Sequence, residues 1–127
     1  MVVDFKEMRD GQQELHDAHP DWEKLMPSGG KSEILNMIGE IGEVIAIIQK
    51  KGSDVIMNNP VVRENLCTEI CDVLMFMNNA FICYDITPEE ISKAYIDKHN
   101  HNMHRNYAAQ NQKLYEEYPT EGENDNG

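Results

Sequence analysis

Residues 34–48, with the sequence ILNMIGEIGEVIAII, and residues 66–83, with the sequence LCTEICDVLMFMNNAFIC, decide the fold. Each stretch is long and apolar, and each contains only two charged residues, spaced three apart. These acids are Glu40 and Glu43 in the first stretch and Glu69 and Asp72 in the second. Apolar segments of this length are typical of helices that pack in a protein core.

The four acids are predicted to share one site. Residues three apart lie on the same face of a helix, so each pair presents two carboxylates side by side. A carboxylate in an apolar interior is costly unless it is paired or bound to a metal ion. Neither stretch contains a lysine or an arginine that could neutralise its acids. We therefore expect the two helices to pack together and their acids to bind a divalent cation.

The ligand types indicate which cation binds. Carboxylate oxygens suit Mg²⁺ or Mn²⁺, whereas zinc sites favour histidine and cysteine. A di-iron helical bundle requires Glu-x-x-His motifs, and the sequence contains none. Magnesium held by carboxylates keeps coordination positions for water and substrate phosphates, which predicts phosphate chemistry with a metal-activated water. Mg²⁺ is the expected ion, and Mn²⁺ is the expected substitute.

A third helix offers candidate substrate-binding side chains. Residues 87–90 (TPEE) form a capping box with proline in the first turn, and the helix is expected to extend to about Tyr107. Lys98, Asn102 and Arg105 follow at intervals of four and three, which places them on one helical face. Two cations and an amide on one face could bind phosphate or sugar, but a solvated basic face has the same spacing.

The single tryptophan is a further candidate. Trp22 lies between two loop signals, residues 19–21 (HPD) and residues 27–30 (PSGG). One interpretation is a ring that anchors a core or an interface, and the other is a ring that lines a ligand pocket.

The rest of the chain predicts an all-α fold. Residues 2–17 have a helix-forming composition, Ser32 is a suitable N-cap for the first carboxylate helix, and residues 52–59 read as a loop. About four helices with short connections predict an antiparallel helical bundle. A single domain is expected over residues 1–114, followed by an acidic tail, residues 115–127, that is predicted to be disordered.

Composition restricts the partners and the compartment. A net charge of −12 argues against nucleic acid and anionic membranes, since both favour a basic surface. The sequence shows neither a signal peptide nor an apolar run of membrane-spanning length. Cys67, Cys71 and Cys83 lie in apolar helical sequence and are expected to be reduced and packed in the core. These features predict a cytoplasmic protein.

Taken in order, the motifs resemble those of the MazG-like nucleoside triphosphate pyrophosphohydrolases, which belong to the all-α NTP pyrophosphatase superfamily. The resemblance is carried by GEIGEVI at residues 39–45, by EICDVL at residues 69–74 and by the Lys98, Asn102 and Arg105 pattern, within residues 32–107. It implies Mg²⁺-dependent hydrolysis of (d)NTPs to the monophosphate and pyrophosphate by water attack at the α-phosphate. It also implies a homodimer or homotetramer.

The resemblance assigns roles by position. The metal ligands would be the four central acids, Glu40, Glu43, Glu69 and Asp72. Lys98 and Asn102 would contact the nucleotide. The residues themselves lead to three further predictions. The pair Glu40 and Glu43 orients the attacking water, and Arg105 helps to offset phosphate charge. Trp22 is a candidate for the substrate pocket.

One position departs from the family pattern. The family motif begins with two adjacent glutamates, and Gly39 replaces the first of them. Gly39 and Gly42 also lie inside a helix, where glycine is costly unless another backbone approaches closely. A non-catalytic bundle that binds a nucleotide or a partner, having lost turnover, is therefore an alternative. A structural bundle with solvated acids, and a related pyrophosphohydrolase of another substrate such as phosphoribosyl-ATP, are two more.

Overall fold

The computed structural model describes residues 1–105, which form an all-α protein without strands. The elements of this part of the chain are, in order, α1 (Phe5–Asp17), a one-turn 3-10 helix (Pro27–Gly29), α2 (Gly30–Lys51), α3 (Ser53–Asn58), α4 (Pro60–Cys83) and α5 (Pro88–Met103). The expected all-helical fold is confirmed. The predicted acidic tail, residues 115–127, lies outside the described residues, as do the predicted domain end at residue 114 and Tyr107.

The chain divides into two compact units. Met1–Ile91 contains α1 to α4 and the start of α5, and the second unit begins at Ser92 and includes the rest of α5. Both carboxylate helices therefore belong to the first unit.

Helices α2 and α4 form the main helix pair of the first unit and run antiparallel. Glu33, in the first turn of α2, accepts a hydrogen bond from Asn79 near the end of α4, and Glu40 lies beside Asp72. The expectation that the two carboxylate helices pack together is thus met. Helix α1 packs against α4, where Arg9 forms an ion pair of 3.1 Å with Asp85.

Local sequence explains most helix boundaries. Asp4 caps α1 through a capping box with Glu7. Asn59 caps α4 by accepting hydrogen bonds from the two backbone amides of Val61 and Val62, and Pro60 occupies the first turn. Gly52, with φ of +82°, ends α2 in a conformation that favours glycine.

Two boundaries differ from the prediction. The first turn of α2 begins at Gly30, directly after the 3-10 helix, so Ser32 lies inside the helix and does not cap it. Residues 52–59, predicted as a loop, contain helix α3, whose Ile56 is buried. A single helical turn held by one buried residue is too short to produce a recognisable apolar period.

Burial within the chain is less extensive than the sequence predicts. The buried apolar residues of the described part are Ile56, Val62, Ala80 and Cys83. Six aliphatic side chains of α2 remain between 37% and 55% exposed; they are Ile34, Leu35, Ile38, Ile41, Ile45 and Ile48. Cys67 and Cys71 are exposed as well, so their predicted packing in the core is wrong for the single chain.

Helix α4 is the one described helix whose length and composition would allow it to cross a membrane, so the expectation that no apolar run reaches this length is wrong. The core helices of soluble proteins have the same length and composition, so this property alone does not locate the protein.

Gly30 provides a test of the packing at the start of α2. A Cβ atom at this buried position would lie 2.3 Å from the ring of Tyr84. We expect Gly30→Ala to destabilise the protein, because the tyrosine ring must move. In a Tyr84→Ala background the same change should no longer destabilise the protein, because the ring that the Cβ atom meets is absent.

The measurement is urea unfolding of the four proteins in this mutant cycle. Gly11→Ala is the matched control, because a Cβ at Gly11 in α1 meets no atom within 4 Å. This control should be stabilised by about 1 kcal/mol. An equal gain for Gly30→Ala in both backgrounds would contradict the close contact with Tyr84.

Candidate metal centre and adjoining cavity

Three of the four predicted acids converge between α2 and α4. Glu40, Glu69 and Asp72 each offer a carboxylate oxygen, and these oxygens all lie within 4.8 Å of one another. All three residues are half-buried. Two ligands on opposite sides of one Mg²⁺ ion are about 4.2 Å apart, twice the metal–oxygen distance. Small side-chain movements would therefore allow the three acids, the carboxylate cluster hereafter, to bind one ion.

The helix pair explains why these acids meet. Glu69 and Asp72 are three residues apart and share one face of α4. Because α2 runs antiparallel to α4, its middle turn, which carries Glu40, lies opposite the middle of α4. The three acids thus come from two helices whose backbones hold them at fixed positions.

Glu43 is not in this group. Its side chain is exposed, whereas those of the carboxylate cluster are half-buried. Its negative charge nevertheless contributes to the raised pKa of Glu40. The spacing of three residues places Glu43 near the same face as Glu40 but one turn further along α2. Its predicted roles as a metal ligand and a catalytic residue stay predictions.

The carboxylate cluster changes the acidity of Glu40. Burial raises the pKa of Glu40 above its ordinary value of 4.5, and a hydrogen bond with Asp72 and the charges of Asp72, Glu69 and Glu43 raise it further. The physical cause is that ionised Glu40 loses water and faces other acids. A divalent cation would favour the ionised form instead, so the donor set fits a hard cation with oxygen ligands.

The predicted close approach of another backbone at the two glycines is not met within the described part of the chain. A Cβ at Gly39 or at Gly42 would meet no atom within 4 Å, and both residues are exposed. The surroundings of the carboxylate cluster are therefore open on the side of these glycines.

A cavity of about 400 Å³ is lined by residues of α1, α2 and α4 and by Trp22 and Glu23. Asn36 and Phe76, which line it, lie one helical turn from Glu40 and Asp72, on α2 and α4 respectively. One turn corresponds to about 5.4 Å along a helix. The cavity is the size of small-molecule sites, which are commonly 300 to about 1,000 Å³.

Trp22 lines this cavity, which supports the pocket interpretation of the tryptophan. Its ring stacks on that of His19, with centroids 4.0 Å apart and planes at 14°, and it meets His16 edge-on at 5.2 Å. The His19 ring is held in turn by a 2.9 Å hydrogen bond between Nδ1 and the Leu15 carbonyl. The indole therefore forms a supported, flat wall that is 43% exposed.

Three polar side chains that line the cavity are joined by a chain of hydrogen bonds, which was not predicted from the sequence. Gln12 Nε2 donates to Asn79 Oδ1 at 2.7 Å, and Asn79 Nδ2 donates to Glu33 Oε1 at 2.9 Å. Gln12 and Asn79 are 6% and 5% exposed. The available signal was the pair of amides at residues 78–79 inside an apolar stretch, because buried amides need partners.

The candidate residues of the third predicted helix lie in the second unit. Lys98 and Asn102 are exposed and share a face of α5. The helix ends at Met103, so Arg105 lies beyond it, and its backbone amide donates to the Asn102 carbonyl at 3.3 Å. The prediction that Arg105 shares a helical face with Lys98 and Asn102 is therefore wrong, because α5 ends at Met103 and does not extend to Tyr107.

The chain matches no family model, and neither a curated protein nor a solved structure is significantly similar to it. The MazG-like resemblance thus stays a prediction from the motifs, and function is inferred from the site itself.

Repulsion within the carboxylate cluster leads to a stability prediction. Because its folded-state pKa is raised, ionised Glu40 destabilises the fold; this cost is absent below about pH 4.5 and is complete above the raised pKa. Glu40→Gln should therefore raise the melting temperature of the metal-free protein at pH 7. The gain should shrink as the pH falls toward 4.5.

Thermal unfolding in the presence of a chelator, at several pH values, measures this effect. Glu14→Gln is the control, since Glu14 is an exposed acid on α1 outside the carboxylate cluster. A lower melting temperature for Glu40→Gln at pH 7 would show that the acids do not repel one another as described.

Proposed function

We propose that this protein is a cytoplasmic, Mg²⁺-dependent nucleotide pyrophosphohydrolase that converts (d)NTPs to the monophosphate and pyrophosphate. The observation that carries the proposal is the carboxylate cluster one helical turn from an aromatic-lined cavity. A nucleoside in the cavity would place its phosphates beside the acids, and a metal ion is needed there because both groups are anionic.

The chain supplies the ligands and the base for the reaction. Glu40, Glu69 and Asp72 would hold the ion, which supplies charge neutralisation and a more acidic water when bound. Water attacks the α-phosphorus. The bond between the α-phosphorus and the oxygen that bridges it to the β-phosphorus breaks, and pyrophosphate leaves. Glu40 and Glu43 are the candidates to orient this water.

The remaining substrate contacts are proposed from different observations. Trp22 would stack on the base, as its position in the cavity wall supports. The roles of Lys98, Asn102 and Arg105 in offsetting phosphate charge and binding the sugar rest on the sequence motif alone. Mn²⁺ would replace Mg²⁺, because both ions prefer oxygen ligands.

We further propose a homodimer or homotetramer. The support is the exposed aliphatic face of α2, together with the small number of apolar residues that the described part of one chain buries. A second copy would cover this face and enlarge the core, and larger assemblies bury a greater share of their apolar surface. Neither nucleic acid nor a membrane is proposed as a partner.

A non-catalytic bundle that binds nucleotide without turnover is the second candidate. It is favoured by the absence of Glu43 from the carboxylate cluster and by Gly39, which stands where the family motif has a glutamate. A pyrophosphohydrolase that acts on phosphoribosyl-ATP is a further alternative. The reaction would be the same, and only the molecule bound in the cavity would differ.

The decisive experiment is pyrophosphate release from a panel of NTPs and dNTPs with Mg²⁺. Asp72→Asn should lower kcat/KM by about 100-fold or more, as expected when a ligand of a catalytic metal is lost. Glu43→Gln should cause a similar loss of about 100-fold if Glu43 orients the water. Glu64→Gln is the matched control, because Glu64 is an exposed acid of α4 outside the carboxylate cluster.

The alternatives give different results in the same panel. Nucleotide binding without pyrophosphate release would favour the non-catalytic bundle. Calorimetry that detects no Mg²⁺ binding dependent on Asp72 would favour a structural bundle with solvated acids.

The assembly proposal has its own test. Ile45 is 48% exposed on α2, and Ile45→Glu should convert the oligomer to monomer, since a charge cannot be buried unpaired in an apolar interface. Analytical ultracentrifugation measures the change. Gln49→Glu, also exposed on α2, is the control, and a monomeric wild-type protein would refute the proposal.

A further inference from the structure

In the hydrogen-bond chain that lines the cavity, the ionised carboxylate of Glu33 determines which side-chain atoms donate and which accept. An ionised carboxylate only accepts hydrogen bonds, so Asn79 must turn Nδ2 toward Glu33. Its Oδ1 then faces Gln12, which must donate through Nε2. Because Gln12 and Asn79 are both more than nine-tenths buried, a reversal of either amide would leave buried polar atoms without partners.

This direction determines what the wall offers to a ligand. The two oxygens of a carboxylate accept about four hydrogen bonds, and Asn79 supplies one of those made to Glu33. Glu33 is half-buried and lines the cavity. A ligand atom that faces Glu33 must therefore carry a hydrogen to donate, and a carbonyl oxygen at the same place would face a negative charge.

The cavity beside Glu33 is partly apolar. Leu15, Met75 and Phe76 form this apolar part of the lining, and the polar side chains of His16, Glu23 and Asn36 line the cavity as well. An unmatched polar contact beside apolar walls costs more than it does in water. The Trp22 ring provides a flat surface against which an aromatic base can stack.

We infer that the cavity selects nucleobases that carry an exocyclic amino group, with Glu33 as the acceptor that reads it. Cytosine, adenine and guanine carry such a group, whereas uracil and thymine present a carbonyl oxygen where cytosine has its amino group. The inference rests on the proposed function for the position of the phosphates, and on the cavity alone for the choice of base.

Cytosine and uracil nucleotides give the sharpest comparison, because they differ at this edge of a ring of the same size. With Mg²⁺, kcat/KM for dCTP should exceed that for dUTP by about tenfold or more, which is well below the roughly 10⁴-fold rejection reached by sites built to hydrogen-bond a substrate group, because Glu33 is only half-buried. Equal values, or a preference for dUTP, would overturn the inference and leave the proposed function intact.

Glu33→Gln tests the role of the acceptor. The amide oxygen of the new side chain can still accept from Asn79, and its NH₂ group turns toward the ligand. The preference for dCTP should fall to about one or reverse, while Glu14→Gln, outside the cavity, should keep it. A variant that retains the full preference would show that Glu33 does not read the base.

Binding without turnover separates this inference from the proposed function. Trp22 is the only tryptophan, so quenching of its fluorescence reports occupancy of the cavity by dCMP or dUMP. We expect dCMP to bind about tenfold more tightly, as with the triphosphates. This result without any hydrolysis would refute the proposed function and support the choice of base. Equal affinities, or quenching by neither nucleotide, would overturn the inference.

Discussion

Repulsion among Glu40, Glu69 and Asp72 is the constraint on which the rest of the first unit depends. Three carboxylate oxygens lie within 4.8 Å of one another. Burial of Glu40, its hydrogen bond with Asp72 and the charges of the neighbouring acids together raise the pKa of Glu40, which shows that its ionised form is unfavourable in the metal-free fold. Such an arrangement persists only if packing elsewhere holds the helices together. Acids kept close at a cost in stability are a common property of sites that bind cations.

The antiparallel pair of α2 and α4 provides that packing and sets the scale of the site. One helical turn separates the carboxylate cluster from the cavity, and both are built from the same two helices. Helix α1 closes the cavity through Gln12, whose hydrogen bond to Asn79 joins it to α4. The hydrogen bonds from Gln12 to Asn79 and from Asn79 to Glu33 therefore join the helices of the unit and also orient the polar atoms that line the cavity.

The exposed aliphatic face of α2 is a second consequence of placing acids in apolar helices. Each helix must bury some apolar residues against its neighbour, yet the acids need contact with water and substrate. In the described part of one chain this leaves few buried apolar side chains and a large exposed face. Assembly with further copies would cover that face, which is why an oligomer accompanies the proposed function.

The sequence by itself determined the helical class, the capping box of Thr87 and Glu90 at the start of α5, and the spacing of the acids. These features depend on neighbours within about four residues, where helix geometry fixes the relative positions of side chains. Tertiary structure decided that Glu43 lies outside the carboxylate cluster, and that Gln12, Glu33 and Asn79 form one wall. The position of one helix against another, and the direction of hydrogen bonds between distant residues, depend on packing that no local spacing specifies.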